Sequence, residues 1–226
     1  MTHVLLIARH EWRMIFKEPR FLLPFLITPL LMMGLQTFTI INPLGSVSET
    51  LSLARTLLLI LAVLAPSSAV PLGADSFAGE KERNTLEILM CLPVDVGSLF
   101  WGKILGMIPV PVLVGLAGQG VMAGMLAARE FWMPGFGTEV AKAMLLTPVL
   151  GLFLASLATL LSLISESVRS AAQFTSLAML ALFFLVTSFS GAVYHSDLVF
   201  ACVFSALLAA SAAFFLVARR RFPRLV

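Results

Sequence analysis

The chain is 226 residues long, 59% hydrophobic and 12% charged, with a formal net charge of +3 and a mean hydropathy of +1.00. Soluble domains carry about a quarter of their residues as charges, so this composition excludes a water-covered globule and defines an integral membrane protein. The basic balance does not point to nucleic acid, because the Lys and Arg residues are sorted by membrane side rather than gathered into one patch.

Residues 3–18 alternate Val4, Leu5, Ile7, Ala8, Trp12, Ile15 and Phe16 with Arg9, Glu11, Arg13 and Lys17. This pattern predicts an amphipathic elbow helix, within residues 1–20, lying in the membrane interface. The same charges exclude a cleavable signal peptide, and Glu18-Pro19 ends the helix, since the residue before proline leaves the helical region. Charge-free windows long enough to span a bilayer then begin at Phe21 (to about Ile41), Thr56 (to Ala74), Ile104 (to Ala128), Ala143 (to Ser165), Ser170 (to about Val193) and Leu198 (to Ala218). Backbone groups in lipid must be satisfied within a segment, so the expected architecture is all-α, six transmembrane helices in a single domain over residues 1–226. Prolines 24, 29, 66, 71, 109, 111 and 148 fall inside the spans and are read as helix kinks.

Between the second and third windows lies a short charged island, residues 80–93, EKERNTLEILMCLP. One central charge costs roughly 3 kcal/mol in hydrocarbon, so the island is placed outside the bilayer and tethered at both ends. Helical spacing sets Leu86, Leu89 and Met90 on one face. Glu80 with Arg83, and Arg83 with Glu87, stand three and four residues apart and could pair along the polar face. An apolar face held at the membrane surface calls for a covering partner. Twelve basic residues (Arg9, Arg13, Lys17, Arg20, Lys81, Arg83, Lys103, Arg169, Arg219, Arg220, Arg221, Arg224) fall on the island's side and three (Arg55, Arg129, Lys142) on the other. The positive-inside rule then puts both termini and the island in the cytoplasm. Trp12, Trp101 and Trp132 fall at predicted span ends, where such rings prefer to sit.

Few segments carry chemistry. Gly97-Ser-Leu-Phe-Trp-Gly102-Lys103-Ile104 imitates a phosphate loop, but Ile104 replaces the magnesium-binding hydroxyl and Leu99, Phe100 and Trp101 make the segment apolar. It reads instead as a helix start, with Lys103 snorkelling to lipid phosphates. Gly102-x-x-x-Gly106 and Gly120-x-x-x-Gly124 could each allow close helix packing. His3, His10 and His195 are scattered, and Cys91 and Cys202 have neither metal-ligand nor disulfide-framework spacing. The predicted spans hold no ionisable residue, which argues against a membrane-embedded enzyme or an ion-coupled secondary carrier, and the lack of an internal repeat argues the same against an inverted-repeat carrier.

Gly79-Glu80-Lys81-Glu82-Arg83-Asn84-Thr85-Leu86-Glu87-Ile88-Leu89, then Pro93, then Gly102-Lys103, resembles the G-E-K-E-x-G-T-L-E-x-L-L…P…G-K pattern of type-two ATP-binding-cassette exporter permeases. Ser165 to Gln173 is similar to that family's second cytoplasmic turn, and Asn84 stands where glycine is usual; both residues tolerate unusual backbone angles. The resemblance implies a half-transporter in the cell membrane, working as a homodimer or with a related permease. It implies a separate ATPase subunit that binds ATP and Mg, no cofactor on this chain, and a coupling helix over residues 80–93. Glu80, Lys81, Glu82, Arg83, Thr85, Leu86, Glu87, Leu89, Met90 and Pro93 would then contact the ATPase. Candidate pathway residues are Gln36, Thr37 and Thr39 in the first span, Ser67 and Ser68 in the second, and Gln173, Thr175 and Ser176 in the fifth. An uncharged lumen of this kind suits a lipid-like, peptide or drug-like cargo better than a hydrated ion.

Overall fold

The computed structural model describes residues 2–17, 46–85, 96–128 and 135–221, with isolated helical positions between 27 and 38. Among the described residues there are nine helices and no strand: α1 Thr2–Lys17, α2 Val47–Ser67, α3 Val70–Glu82, α4 Val96–Met107, α5 Pro109–Ala128, α6 Phe136–Ile164, α7 Val168–Ser188, α8 Ser190–His195 and α9 Asp197–Arg221. Five stretches are long and apolar enough to cross a membrane: Ser48–Glu82, Gly97–Ala128, Phe136–Ile164, Val168–Ser188 and Asp197–Arg221. They match the second to sixth predicted spans. The predicted span at 21–41 lies largely outside the described residues.

Local chemistry explains the helix limits. Ser46 caps α2: its hydroxyl accepts from the Glu49 amide, while Glu49 Oε2 accepts from the Ser46 amide at 2.8 Å, a reciprocal arrangement that satisfies two orphan donors. Pro66 and Pro71 bracket the break at Ser68–Ala69 between α2 and α3, and Pro109 opens α5 directly after the bend at Ile108. Proline lacks the donor a continuous helix requires, so two of the membrane stretches are each built from two helical pieces. α6 runs on through Pro148 for 29 residues, about 43 Å at 1.5 Å per residue.

The described helices overrun the charge-free windows. α2 begins at Val47 rather than Thr56, α3 continues past Ala74 to Glu82, and α6 begins at Phe136 rather than Ala143. The helices therefore contain Arg55, Asp75, Glu80, Lys103, Glu139 and Lys142, correcting the expectation that they hold no ionisable residue. The physical reason is pairing: Arg55 meets Glu139, Arg83 meets Asp75, Lys103 meets Glu80 and Lys142 meets Asp197, so each of these charges is compensated.

Packing proceeds in layers along the bundle. At one end Leu51, Ala54, Leu58, Met122, Leu126, Phe136 and Ala143 join α2, α5 and α6. In the middle Leu59, Ala62, Val63, Leu146, Leu150, Val186 and Leu207 join α2, α6, α7 and α9. At the other end Phe77, Phe100, Leu160, Leu163 and Ala218 gather α3, α4, α6 and α9, with Ile7 of α1 against them. Buried polar contacts cross these layers. Gln119 Nε2 donates to Thr147 Oγ1 at 2.9 Å and to the carbonyls of Leu58 and Ala143, so α5 bonds to both α2 and α6. Ser162 accepts from the amides of Phe77 and Ala78 and donates to the Ala74 carbonyl at 2.6 Å, fastening α6 to α3. Gly73 lies so close to Ala158 that no side chain fits between them.

Candidate functional site

The root of the charged island is the most densely bonded polar site among the described residues. α3 ends in a Schellman turn. The Thr85 amide donates to the Glu80 carbonyl at 2.9 Å and the Asn84 amide to the Lys81 carbonyl at 3.0 Å, closing the last turn around a left-handed residue. That residue is Asn84, with φ of 54°, a conformation that asparagine tolerates better than most residues. The island is thus not one helix from Glu80 onward. Glu80, Lys81 and Glu82 complete α3, and Arg83 and Asn84 turn the chain out of it. Leu86, Glu87, Leu89, Met90 and Pro93 lie outside the described residues.

Each charged residue at this root has a definite partner. Glu80 Oε1 lies 2.8 Å from Lys103 Nζ, and its Oε2 is buried with no partner among the described residues. Lys81 Nζ donates to the Leu163 and Ser165 carbonyls at the end of α6. Glu82 Oε1 accepts from the Val168 amide at the start of α7, 2.9 Å away, where a carboxylate also meets the positive end of the helix dipole. Arg83 binds Asp75 at 2.8 Å rather than forming the expected pair with Glu80, because Glu80 turns inward to Lys103. Thr85 is exposed.

Lys103 corrects a second expectation. Its side chain is 4% exposed, so it does not snorkel. Its ammonium donates to Glu80 Oε1 at 2.8 Å, to the Ser76 carbonyl at 2.9 Å and to Glu11 Oε1 at 3.2 Å, and it lies 5.3 Å from the centre of the Phe77 ring. An ammonium has three protons, and three acceptors meet them. The glycines beside it explain how α1 comes near enough: a Cβ on Gly102 would sit 2.6 Å from Ile7 Cβ, and one on Gly106 the same distance from Glu11 Cβ. By contrast, among the described residues Gly120 faces only Met144 at 3.8 Å and Gly124 faces nothing within 4 Å, so the second glycine pair seats none of the described helices. The segment resembling a phosphate loop is helical from Val96 to Met107, with no open loop to cradle a phosphate.

The opposite end holds a second polar group that sequence patterning did not single out. Arg55 Nε binds Glu139 Oε2 at 2.7 Å, Tyr194 Oη donates to the Arg55 carbonyl at 2.9 Å, and Lys142 Nζ reaches the Tyr194 carbonyl and Asp197. Burial, reinforced by Glu139, pushes the Tyr194 hydroxyl well above its ordinary range, so it remains a neutral donor. These bonds fasten α8 to α2 and α6. The polar residues expected to line a pathway divide. Ser67 and Ser68 bond their own helix at the Leu64 and Ala65 carbonyls, with Ser68 buried, and buried Thr175 bonds the Ala171 carbonyl. Gln173 and Ser176 are exposed on α7, while Gln36, Thr37 and Thr39 lie outside the described residues. No cluster of three His, Cys, Asp or Glu suited to a metal occurs among the described residues.

An all-helical bundle with five membrane-length helices and its charges bonded near the helix ends is a polytopic membrane protein. More narrowly, the chain belongs to the ABC-2 family transporter proteins, whose family model matches residues 5–202. It is accordingly the membrane-spanning permease component of an ABC transporter. A search of the curated proteins finds no match.

Proposed function

We propose that the chain is one half of an ATP-driven exporter: two copies, or this chain and a related permease, form the pathway, and each docks a separate ATPase that binds ATP and Mg. The island of residues 80–93 is the docking element, sitting on the cytoplasmic face with both termini. One observation carries this reading beyond family membership. The island leaves the bundle from a root held by α4, α6 and α7 through Lys103, the Leu163 and Ser165 carbonyls and the Val168 amide. A push on the island would therefore reach several helices at once. The apolar residues Leu86, Leu89 and Met90 supply the contact. Since Glu80 and Lys81 are bonded inside the protein, polar contacts at the rim fall to Arg83 and Glu87. Parity supports six spans: α1 packs at the Phe77–Ala218 end, whereas α2 starts at the Leu51–Phe136 end. The connecting residues 18–45 must cover that distance, as the span proposed at 21–41 would. The cargo best suited to a lumen of hydroxyls and amides is lipid-like, peptide or drug-like.

The test is biochemical. The purified chain hydrolyses no ATP, and co-purification with its partner ATPase brings hydrolysis. Burying a leucine contributes about 2 kcal/mol, whereas an exposed ion pair contributes under about 1 kcal/mol. Leu89→Asp therefore abolishes capture of the ATPase, and Arg83→Ala, at an exposed pair, does not. Hydrolysis by the isolated chain, or normal capture by Leu89→Asp, refutes the proposal.

A further inference from the structure

We infer that Lys103 is a positioning residue that joins α1 to the root of the charged island, so that α1 and the end of α3 move as one body. The inference deepens the proposed export function and rests on it for the source of the motion. Three independent observations converge. Lys103 is buried, and its ammonium divides its bonds between α1, through Glu11, and α3, through Ser76 and Glu80. Gly102 and Gly106 bring the α1 backbone into direct contact with the helix that carries Lys103, leaving no room for a side chain in the seam. The same α3 end is tied to α6 and α7 by Lys81 and Glu82, so any movement of that end carries Glu80, and hence Lys103, with it.

A lysine that served only to neutralise Glu80 would need no second carboxylate from another helix. Glu11 comes from an element that otherwise rests on α4 by small apolar contacts, with Leu5 and Leu6 facing outward. The ion pair gives that element a fixed register. A purely apolar contact allows sliding, whereas a charge-assisted bond to a buried donor fixes position along the helix. Displacement of the island by an ATPase is thereby delivered to α1 at the edge of the membrane rather than dissipated in a loose contact.

The experiment places spin labels at Arg9→Cys on α1 and Thr85→Cys at the root, in a Cys91→Ser, Cys202→Ser background, and measures their separation in detergent with and without the ATPase, AMP-PNP and Mg. In the parent protein the separation is narrow and unchanged by nucleotide. Lys103→Met loses the narrow distribution and Lys103→Arg keeps it. Should Lys103→Met fail to fold, Glu11→Ala serves, because it removes only the α1 acceptor and leaves Lys103 bonded to Ser76 and Glu80; it too loses the narrow distribution. A Glu11→Ala or Lys103→Met distribution identical to the parent's, or a nucleotide-driven change of the Arg9–Thr85 separation in the parent, overturns the inference. Failure of the parent to retain any ATPase in the same preparation counts instead against the proposed function, since the nucleotide-free widths are measured without it.

Discussion

Lys103 shows how one side chain reverses the usual cost of a charge in an apolar setting. Removing a buried charge from water costs several kcal/mol unless the geometry satisfies it, and here each ammonium proton has an acceptor. The carboxylates depend on it in turn. Lys103→Met leaves Glu11 and Glu80 facing each other without a cation, a loss expected at about 3–5 kcal/mol and read as a large drop in melting temperature by circular dichroism in detergent. Arg83→Ala, which breaks a pair whose arginine is 53% exposed, shifts the same transition little, because exposed pairs contribute under about 1 kcal/mol. Equal shifts for the two variants would contradict this ranking. Asn84 gives a test of a different kind. A β-branched residue at its φ of 54° meets the left-handed penalty of about 1–2 kcal/mol, so Asn84→Val destabilises while Asn84→Gly is tolerated. A melting temperature for Asn84→Val equal to the parent's rules out the left-handed turn. The Asn84 turn was not read from the sequence, where residues 80–93 were expected to form one helix, although the glycine usual at that place in the resembling pattern is equally suited to a left-handed angle. The inward turn of Lys103 was not legible either, because Glu11 is 92 positions away along the chain and spacing rules reach only the next helical turn.

Among the helices, the two glycine pairs on the third predicted span separate what a motif states from what a fold uses it for. Both read alike in sequence, yet Gly102 and Gly106 seat α1 while Gly124 has nothing within 4 Å among the described residues. A Cβ at Gly102 would stand 2.6 Å from Ile7 Cβ, so Gly102→Ala forces α1 away at an overpacking cost of about 1–3 kcal/mol. Gly124→Ala, an open position on a helix, is neutral or gains up to about 1 kcal/mol from helix propensity. Thermal unfolding of the two variants under one condition compares them; a Gly102→Ala protein as stable as Gly124→Ala would show that α1 does not sit in that seam. Gln119 repeats the lesson. It is a single amide in an apolar run, but its bonds to Leu58, Ala143 and Thr147 make it the polar crosslink of three helices. No linear pattern marks it, since its partners come from elements before and after it. Helix existence was readable from hydropathy because lipid enforces it, whereas helix ends were not. The charge-free windows stop at the first charge, and the helices run on wherever that charge finds a partner.

At the scale of the whole molecule, the membrane-length helices alternate in direction, and the described basic residues follow that alternation. Lys81, Arg83 and Lys103 gather at the end where α1 and the close of α9 pack, while Arg55 and Lys142 stand beside Tyr194 at the other. Among the described residues, the twelve-to-three division of basic residues read from the sequence has a partial physical counterpart: Lys81, Arg83 and Lys103 are bonded at one end of the bundle, and Arg55 and Lys142 at the other. Between these ends α7 and α9 turn Phe174, Leu177, Phe184, Leu198 and Leu216 outward, and such residues are compatible with lipid but not with water. Which end faces the cytoplasm belongs to the proposed function, in which the positive-inside rule puts the α1 end inside. In a background with Cys91 and Cys202 replaced by serine, single cysteines at Arg9, Arg220 and Asp197 test this with a membrane-impermeant maleimide on intact cells. Asp197→Cys, whose parent side chain is 95% exposed beside Lys142, is labelled from outside. Arg9→Cys and Arg220→Cys are labelled only after the membrane is opened. Labelling of position 9 and protection of position 220 in intact cells would place α1 and the end of α9 on opposite sides, which their shared packing against Phe77 and Phe100 forbids; labelling of both, with Asp197→Cys protected, would keep the bundle and invert it in the membrane.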